Sequence, residues 1–143
     1  MSLTGLEVFD STVHKTNLWL KEIMEQLATE DRHNAYVALR AVLQALRDRL
    51  TPDAAAELGA QLPMLVRGLF FESWSPKTTP VKARHREDFL LMVRARIQTP
   101  EVGAEEASRA VLAVLSRHLG AAAEKVRHNL PGELRELWLP APG

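Results

Sequence analysis

Apolar residues recur at intervals of three and four along most of the chain, the spacing that places side chains on one face of an α-helix. One such face runs through residues 13–27, and a broader one runs through residues 35–50. Shorter faces follow at residues 55–62 and 65–70. No segment of useful length alternates between apolar and polar residues, so the pattern indicates no strands. The sequence therefore predicts an all-α protein.

Capping residues delimit these helices. Asp31 is a candidate N-cap for the second helix. Residues 51–53 (Thr-Pro-Asp) combine a cap, a proline suited to the first helical position and an acid near the positive helix end. Residues 62–63 (Leu-Pro) end one helix and can start the next. Residues 99–101 (Thr-Pro-Glu) predict a further helix start.

Part of the pattern occurs twice. Residues 35–50 (AYVALRAVLQALRDRL) and 104–119 (AEEASRAVLAVLSRHL) are identical at eight of sixteen aligned positions, where unrelated segments share about one. The Leu-Pro pair of residues 62–63 returns at 130–131, each time followed by an arginine and a leucine. These matches predict a helical bundle built from two tandem copies of a three-to-four-helix unit, related by approximate twofold pseudo-symmetry.

The repeat also predicts the organisation of the chain. We expect residues 1–143 to form a single compact domain, because a chain of this length can bury one sizeable core. The first copy spans about residues 8–75, and the second spans about residues 87–139. Residues 76–86 form the connector, which contains two prolines and four basic residues but no acid.

Composition excludes several classes of chemistry. Without cysteine there can be no thiol nucleophile and no thiolate zinc site. Eighteen basic and eighteen acidic residues give zero net charge, so no overall field attracts nucleic acid or an anionic membrane. We find neither a secretory signal nor an apolar run long enough to span a bilayer. We therefore expect a cytoplasmic protein without a membrane role.

Motifs for catalysis and cofactor binding are missing from the sequence. It has no GxSxG, no glycine-rich lysine loop and no GxGxxG. Its five histidines form no HxxxH or HExxH pair. We therefore expect no catalytic residues, no metal and no cofactor, and we expect that the protein is not an enzyme.

Arginine and aromatic residues near the two Leu-Pro pairs are candidates for an interaction surface. Arg67, Phe71 and Trp74 share one flank of the fourth helix. Arg135 and Trp138 follow the second Leu-Pro pair. Tryptophan and arginine often supply much of the binding energy at protein interfaces. The alternative is structural, with the arginine clamping the fourth helix to an acidic residue of a neighbouring helix.

The connector offers candidates for phosphate contacts. Lys77, Lys82 and Arg84 could hold phosphates and so allow nucleic-acid binding. The alternative is a solvated linker, because Glu87 and Asp88 follow at once and basic footprints are usually wider.

Two further cations fall within apolar helix faces. Arg49 ends the second helix, and His118 occupies the matching position in the second copy. They could form a buried polar site shared between the copies. Alternatively, each could extend outward to solvent near the negative end of its helix.

Several segments resemble one protein family. They are VFDSTVHKTNLWLKEI, AYVALRAVLQALRDRL, AQLPMLVRGLFFESW and REDFLLMV, in this order. Together they are similar to the domain-of-unknown-function 2267 family of prokaryotic proteins, over nearly the whole chain. LPMLVRG and the aromatic residues after it are the most specific part. The resemblance implies a wholly helical fold with a two-part repeat and transfers no activity, cofactor or catalytic residue.

Three functional interpretations remain. The first is a non-catalytic protein-interaction or oligomerisation module, because Phe70, Phe71 and Trp74 give a short helix more aromatic surface than one core face needs. It implies a protein partner or self-association. The second is a small-ligand-binding regulatory domain with a pocket between the copies, near Arg67 and Arg135. The third is either an enzyme of unrecognised chemistry or nucleic-acid binding through the connector.

Overall fold

The computed structural model describes residues 3–138, all of which are helical or irregular, with no strand. This confirms the all-α prediction. Residues 1–2 and 139–143, and with them the predicted end of the second copy at residue 139, lie outside the described residues. The elements in order are α1 (Glu7–Leu27), α2 (Arg32–Arg49), α3 (Pro52–Gln61), α4 (Met64–Phe71), a 3₁₀ turn (Pro76–Thr78), α5 (Arg86–Arg94), α6 (Ala104–Leu119), α7 (Ala121–His128) and α8 (Gly132–Trp138).

Helix α2 lies at the centre of the bundle. It packs against α1, α4, α5 and α6, and residues 41–47 are all buried. A helix covered on several sides needs small or apolar residues around most of its circumference. The segment AVLQALR supplies them except at Gln44 and Arg47, so these two polar side chains require partners inside the protein.

Both polar side chains find partners at the end of α4. Gln44 Nε2 donates to the carbonyl oxygen of Leu69 at 3.0 Å. Arg47 Nη1 donates to the carbonyl oxygen of Phe70 at 3.0 Å. These carbonyls lie in the last turn of α4, where the helix itself leaves acceptors unpaired. The central helix therefore fixes where α4 ends.

Helix α6 is the second buried helix and packs against α1, α2, α5, α7 and α8. Leu43 of α2 and Leu112 of α6 occupy matching positions in the two aligned segments, and both are buried. Apolar residues from both halves join in one hydrophobic core. The two repeated apolar faces therefore contribute to the same interior.

Two of the predicted caps are present. Asp31 Oδ1 accepts a hydrogen bond from the backbone N–H of His33 at 2.9 Å, and Thr51 Oγ1 accepts one from Ala54 at 3.2 Å. Each satisfies a backbone donor that the first turn of its helix leaves free.

The predicted helix start at residues 99–101 is wrong, because α6 begins at Ala104 after an N-cap at Gly103. Thr99 Oγ1 accepts instead from the N–H of Glu101 at 3.3 Å and closes a turn. Val102, the next residue, is buried. The chain is thus anchored in the core before the helix begins.

The connector is held against the end of α2. The N–H of Val81 donates to the carbonyl oxygen of Asp48 at 2.7 Å, and Arg49 Nε donates to that of Ala83 at 2.7 Å. Ala83 is buried, and the Thr79–Pro80 peptide bond is cis. Most connector side chains are exposed, as in a solvated linker, but the backbone is part of the folded structure.

Candidate functional site

Arg67 closes the C-terminal end of α3. Its Nε donates to the carbonyl oxygen of Gly59 at 2.9 Å, and its Nη2 donates to that of Leu62 at 2.9 Å and to that of Ala60 at 3.3 Å. The last carbonyls of a helix have no partners within it, so the guanidinium stabilises the turn between α3 and α4. Arg67 therefore holds α4 to α3 as the structural alternative expects, but its partners are backbone carbonyls and not the acidic residue that was expected.

Phe71 and Trp74 are half-buried against α3 and the end of α4. The Phe71 ring lies 4.9 Å from the Phe70 ring and 5.2 Å from Trp74, measured between centroids. It also covers Gly59, where an added Cβ would lie 2.3 Å from Phe71 Cζ. Most of this aromatic surface therefore serves packing. The Trp74 Nε1 group is buried and has no hydrogen-bond partner among the described residues.

The second arginine and tryptophan lie in different surroundings. Trp138 is 5% exposed, and its Nε1 donates to Ser116 Oγ at 2.6 Å. Its indole is therefore part of the core rather than of a surface. Arg135 is half-buried, and its side chain makes no hydrogen bond within residues 3–138. The two arginines also border different surfaces. Arg67 lines a polar cleft beside α1, and Arg135 does not line that cleft.

An apolar groove of about 800 Å³ runs between α1 and α4. Its walls include four large apolar or aromatic side chains that are 41–50% exposed, namely Phe9, Tyr36, Met64 and Leu65. Water contact at several neighbouring large side chains is typical of an interaction surface. This groove, which we call the α1–α4 groove, is the main candidate functional site.

A hydrogen bond joins the two helices that form the groove. The N–H of Leu65 donates to Thr12 Oγ1 of α1 at 2.9 Å. This bond attaches the first turn of α4 to α1 through a small polar side chain. In the sequence, Leu65 belongs to the predicted apolar face of α4, and Phe9 lies outside the predicted apolar face of α1. The sequence signal for the groove is the number of apolar residues in α4. This eight-residue helix carries Met64 and Leu65 in addition to the apolar side chains that it buries.

A smaller cavity of about 340 Å³ lies between α3 and α7. Leu58 and Val126 contribute apolar surface, and Glu57 and Lys125 form an ion pair of 3.0 Å at its edge. Neither Arg67 nor Arg135 lines it, so the arginines do not converge there as the ligand-binding interpretation expected.

The candidate phosphate contacts lie in the connector. Lys77 is in the 3₁₀ turn, and Lys82 and Arg84 follow in the irregular segment. All three are exposed and have no hydrogen bond or ion pair with the described part of the chain. Arg84 also affects Arg49 at the end of α2. Burial of Arg49, together with the charge of the neighbouring Arg84, lowers the pKa of Arg49.

An ionic cluster joins α1 to α6. Glu22 Oε1 lies 3.1 Å from Arg117 Nη1, and Glu22 Oε2 lies 2.5 Å from His118 Nε2. The His118 ring also stacks on Trp19 at 5.0 Å. Burial raises the pKa of Glu22, but the hydrogen bonds and charges of His118 and Arg117 outweigh it, and the pKa lies below its ordinary value. Arg49 and His118 therefore have separate partners and do not form one shared polar site.

Two further findings concern the described residues as a whole. Between residues 3 and 138, no three histidine, aspartate or glutamate side chains lie close enough together to hold a metal ion. No helix in that range is both long and apolar enough to cross a bilayer.

Comparison with known proteins finds a matching family model. No curated protein matches the chain. The family model described as an uncharacterized conserved protein (DUF2267) matches residues 16–137. That segment contains α2 to α7 complete, most of α1 and nearly all of α8. The resemblance found in the sequence is therefore confirmed, and the chain belongs to the DUF2267 family.

Proposed function

We propose that the protein is a non-catalytic oligomerisation module in which a second copy of the chain covers the α1–α4 groove. The observation that carries this proposal is the group of four large side chains, 41–50% exposed, around one groove. Removing such surface from water is worth about 25 cal/mol per Å². A partner that fills the groove therefore gains free energy from burial without needing a charged contact.

A second copy suits the groove for two reasons. The chain has zero net charge, so two copies do not repel each other through their overall fields. In addition, three apolar side chains are exposed at the start of the helix that forms one wall of the groove, with Leu3 and Leu6 just before α1 and Val8 in its first turn. In an isologous dimer the apolar start of α1 from each copy enters the groove of the other, and one patch supplies both sides of the interface.

We also propose that the bundle consists of two copies of one unit with approximate twofold pseudo-symmetry. The helix contacts support this, because α1–α2, α2–α4 and α3–α4 each have a counterpart in α5–α6, α6–α8 and α7–α8. Between the halves, α2 contacts α6 and α3 contacts α7. Superposing α1 to α4 on α5 to α8 and measuring the rotation between them tests the proposal.

The test of the dimer is molar mass in solution, measured by light scattering after gel filtration. We expect a dimer for the wild-type chain and a monomer for Leu65→Glu, because a carboxylate in the groove would be buried without a partner. Leu91→Glu is the matched control, since Leu91 is 63% exposed on α5 and does not line the groove. A monomeric wild-type chain at about 100 µM, well above the dissociation constant of a stable dimer, overturns the proposal.

The ligand-binding interpretation remains a second candidate because of the cavity between α3 and α7. Its volume of about 340 Å³ lies within the range of about 300–1,000 Å³ usual for ligand pockets. A small apolar compound that stabilises the wild-type protein but not the Leu58→Trp variant would support this interpretation.

Nucleic-acid binding through Lys77, Lys82 and Arg84 stays a prediction. DNA retention that weakens as the salt concentration rises would support it.

We also place the protein in the cytoplasm, because a chain without cysteine forms no disulfide bonds and needs no oxidising compartment.

A further inference from the structure

A polar cleft of about 500 Å³ lies on the other side of Tyr36 from the α1–α4 groove. Tyr36 lines both of them. The cleft is formed by the N-terminal half of α2 and by the segment that follows α5. Its hydrogen-bonding side chains are His33, Tyr36, Arg40, Arg96, Gln98 and Thr99. No carboxylate is among the described residues that line it, so the cleft offers mainly donors and two permanent positive charges.

Arg40 is the more available of the two arginines. The only side-chain hydrogen bond of Arg40 within the described chain joins Nη2 to Glu72 Oε1 at 3.4 Å, and the side chain is 34% exposed. A guanidinium carries five N–H donors, so most of the donors of Arg40 are free to bind a ligand. The bond to Glu72 is long for a charge-assisted hydrogen bond, which is usually about 2.7–2.9 Å.

Arg96 is the more firmly positioned arginine. Its Nη2 donates to Asp48 Oδ2 at 2.5 Å, and its Nη1 donates to the carbonyl oxygen of Met92 at 3.2 Å. The Nε group is left without a partner in the described structure. Asp48 therefore acts as a support that orients Arg96 at the cleft, and Asp48 itself also accepts from the buried Arg47.

We propose that this cleft binds a small phosphate ester, with the phosphoryl oxygens held by Arg40 and Arg96. Two guanidiniums from separate elements match a group with several charged oxygens, since arginine binds phosphate through paired N–H donors. Thr99 and Gln98 supply neutral donors. The volume exceeds that of one phosphate group, and the Tyr36 ring, 5.9 Å from that of His33, provides a wall for a planar organic part.

The ligand competes with Glu72 for Arg40. Glu72 also lines the α1–α4 groove, so a phosphoryl group that draws Arg40 into the cleft releases a carboxylate at the edge of the groove. The phosphate site itself does not depend on the proposed dimer, because every residue of the cleft belongs to one chain.

NMR titration of the uniformly ¹⁵N-labelled full chain, in a phosphate-free buffer, tests the site. The two probes are inorganic phosphate and phenyl phosphate. We expect saturable shifts in the amides of residues 33–40 and 96–99 with both. Phenyl phosphate should bind more tightly, since its ring can pack against Tyr36. If inorganic phosphate binds as tightly as phenyl phosphate, the ester proposal is overturned and the cleft is a site for free phosphate.

Two variants and a control identify the residues. Arg40→Gln should raise the dissociation constant about tenfold, as expected for loss of a charged hydrogen bond. Glu72→Gln should lower the dissociation constant, because the carboxylate that competes for Arg40 is gone. Loss of a contact with only a structural role would not tighten binding. Arg94→Gln removes an equal charge from the exposed side of α5, outside the lining of the cleft, and should leave binding unchanged. Absence of saturable shifts, or equal weakening by Arg94→Gln and Arg40→Gln, overturns the proposal.

Discussion

Nη1 of Arg47 lies 2.7 Å from the backbone carbonyl oxygen of Glu72 and joins the centre of the bundle to the residue after α4. The same nitrogen donates to Phe70, and Nε donates to Asp48 at 2.8 Å. The side chain is buried, with the residue 2% exposed. A buried guanidinium is tolerated only where its donors are satisfied, so the end of α4 and the charge of Arg47 stabilise each other.

Replacing this arginine should destabilise the protein strongly. We expect Arg47→Ala to lower the free energy of unfolding by about 3 kcal/mol, because two carbonyls and one carboxylate lose a charged donor inside the protein. Arg94→Ala, on the exposed side of α5, should change it by less than about 0.5 kcal/mol. Urea unfolding followed by circular dichroism measures both. A loss below about 1 kcal/mol for Arg47→Ala would mean that these contacts contribute little.

The two aligned leucines provide a test of the shared core. Leu43→Ala and Leu112→Ala should each cost about 2–5 kcal/mol, the usual range for a buried leucine whose removal leaves a cavity. Leu91→Ala is the control, because Leu91 is exposed on α5. Urea unfolding of the three variants gives the comparison. Changes of less than about 1 kcal/mol at both buried positions would show that the repeated apolar faces are not core.

The helices could be predicted from the sequence because their causes are local. Apolar spacing of three and four identified the faces that contain Leu43 and Leu112, and side chains of Asp31 and Thr51 mark helix starts through bonds within a few residues. The wrong helix start at residues 99–101 has a tertiary cause. Val102 must reach the core before α6 begins, and a local capping pattern carries no information about that.

The buried arginine and the groove could not be predicted in the same way. The sequence does not mark Arg47 as buried, because a single helical wheel does not show that α2 is covered on several sides by distant segments. The repeat gave no warning either, since Ser116 occupies the matching position. The groove depends on how α1 and α4 pack, and Phe9 and Leu65 are separated by more than fifty residues in the sequence.

Two glycines give opposite predictions for the same substitution. Gly59→Ala should destabilise the protein by about 1–3 kcal/mol, as overpacking does, because the new Cβ would lie 2.3 Å from Phe71 Cζ. Gly68→Ala should instead stabilise it by about 0.5–1 kcal/mol, since nothing lies within 4 Å of a Cβ placed there in α4. Thermal unfolding of both variants checks the signs.

A double variant separates overpacking from a backbone effect at Gly59. Phe71→Leu shortens the side chain that the new Cβ would meet, so Gly59→Ala should cost less in that background than in the wild type. Residues in direct contact typically show coupling of about 0.5–3 kcal/mol. Equal costs in the two backgrounds would mean that Phe71 is not the obstacle. A destabilising Gly68→Ala would contradict the open space at that position.

The ionic cluster between α1 and α6 makes stability depend on acid pH. The folded-state pKa of Glu22 is lowered from its ordinary value of 4.5. A carboxyl group with a lowered pKa stabilises the folded state above its unfolded-state pKa, and this contribution is lost as the pH falls through the folded-state pKa. Glu22→Gln should therefore be less stable than the wild type at pH 7, and the difference should shrink as the pH falls below 4.5.

Urea unfolding at several pH values between neutral and acid measures this difference. Glu25→Gln is the matched control, because Glu25 is exposed on the same helix and has no side-chain hydrogen bond or ion pair within the described residues. Its stability should follow the wild type across the whole range. If the Glu22→Gln deficit stayed constant down to the acid end, the contact between α1 and α6 would depend on packing of Trp19 against His118 rather than on the charge of Glu22.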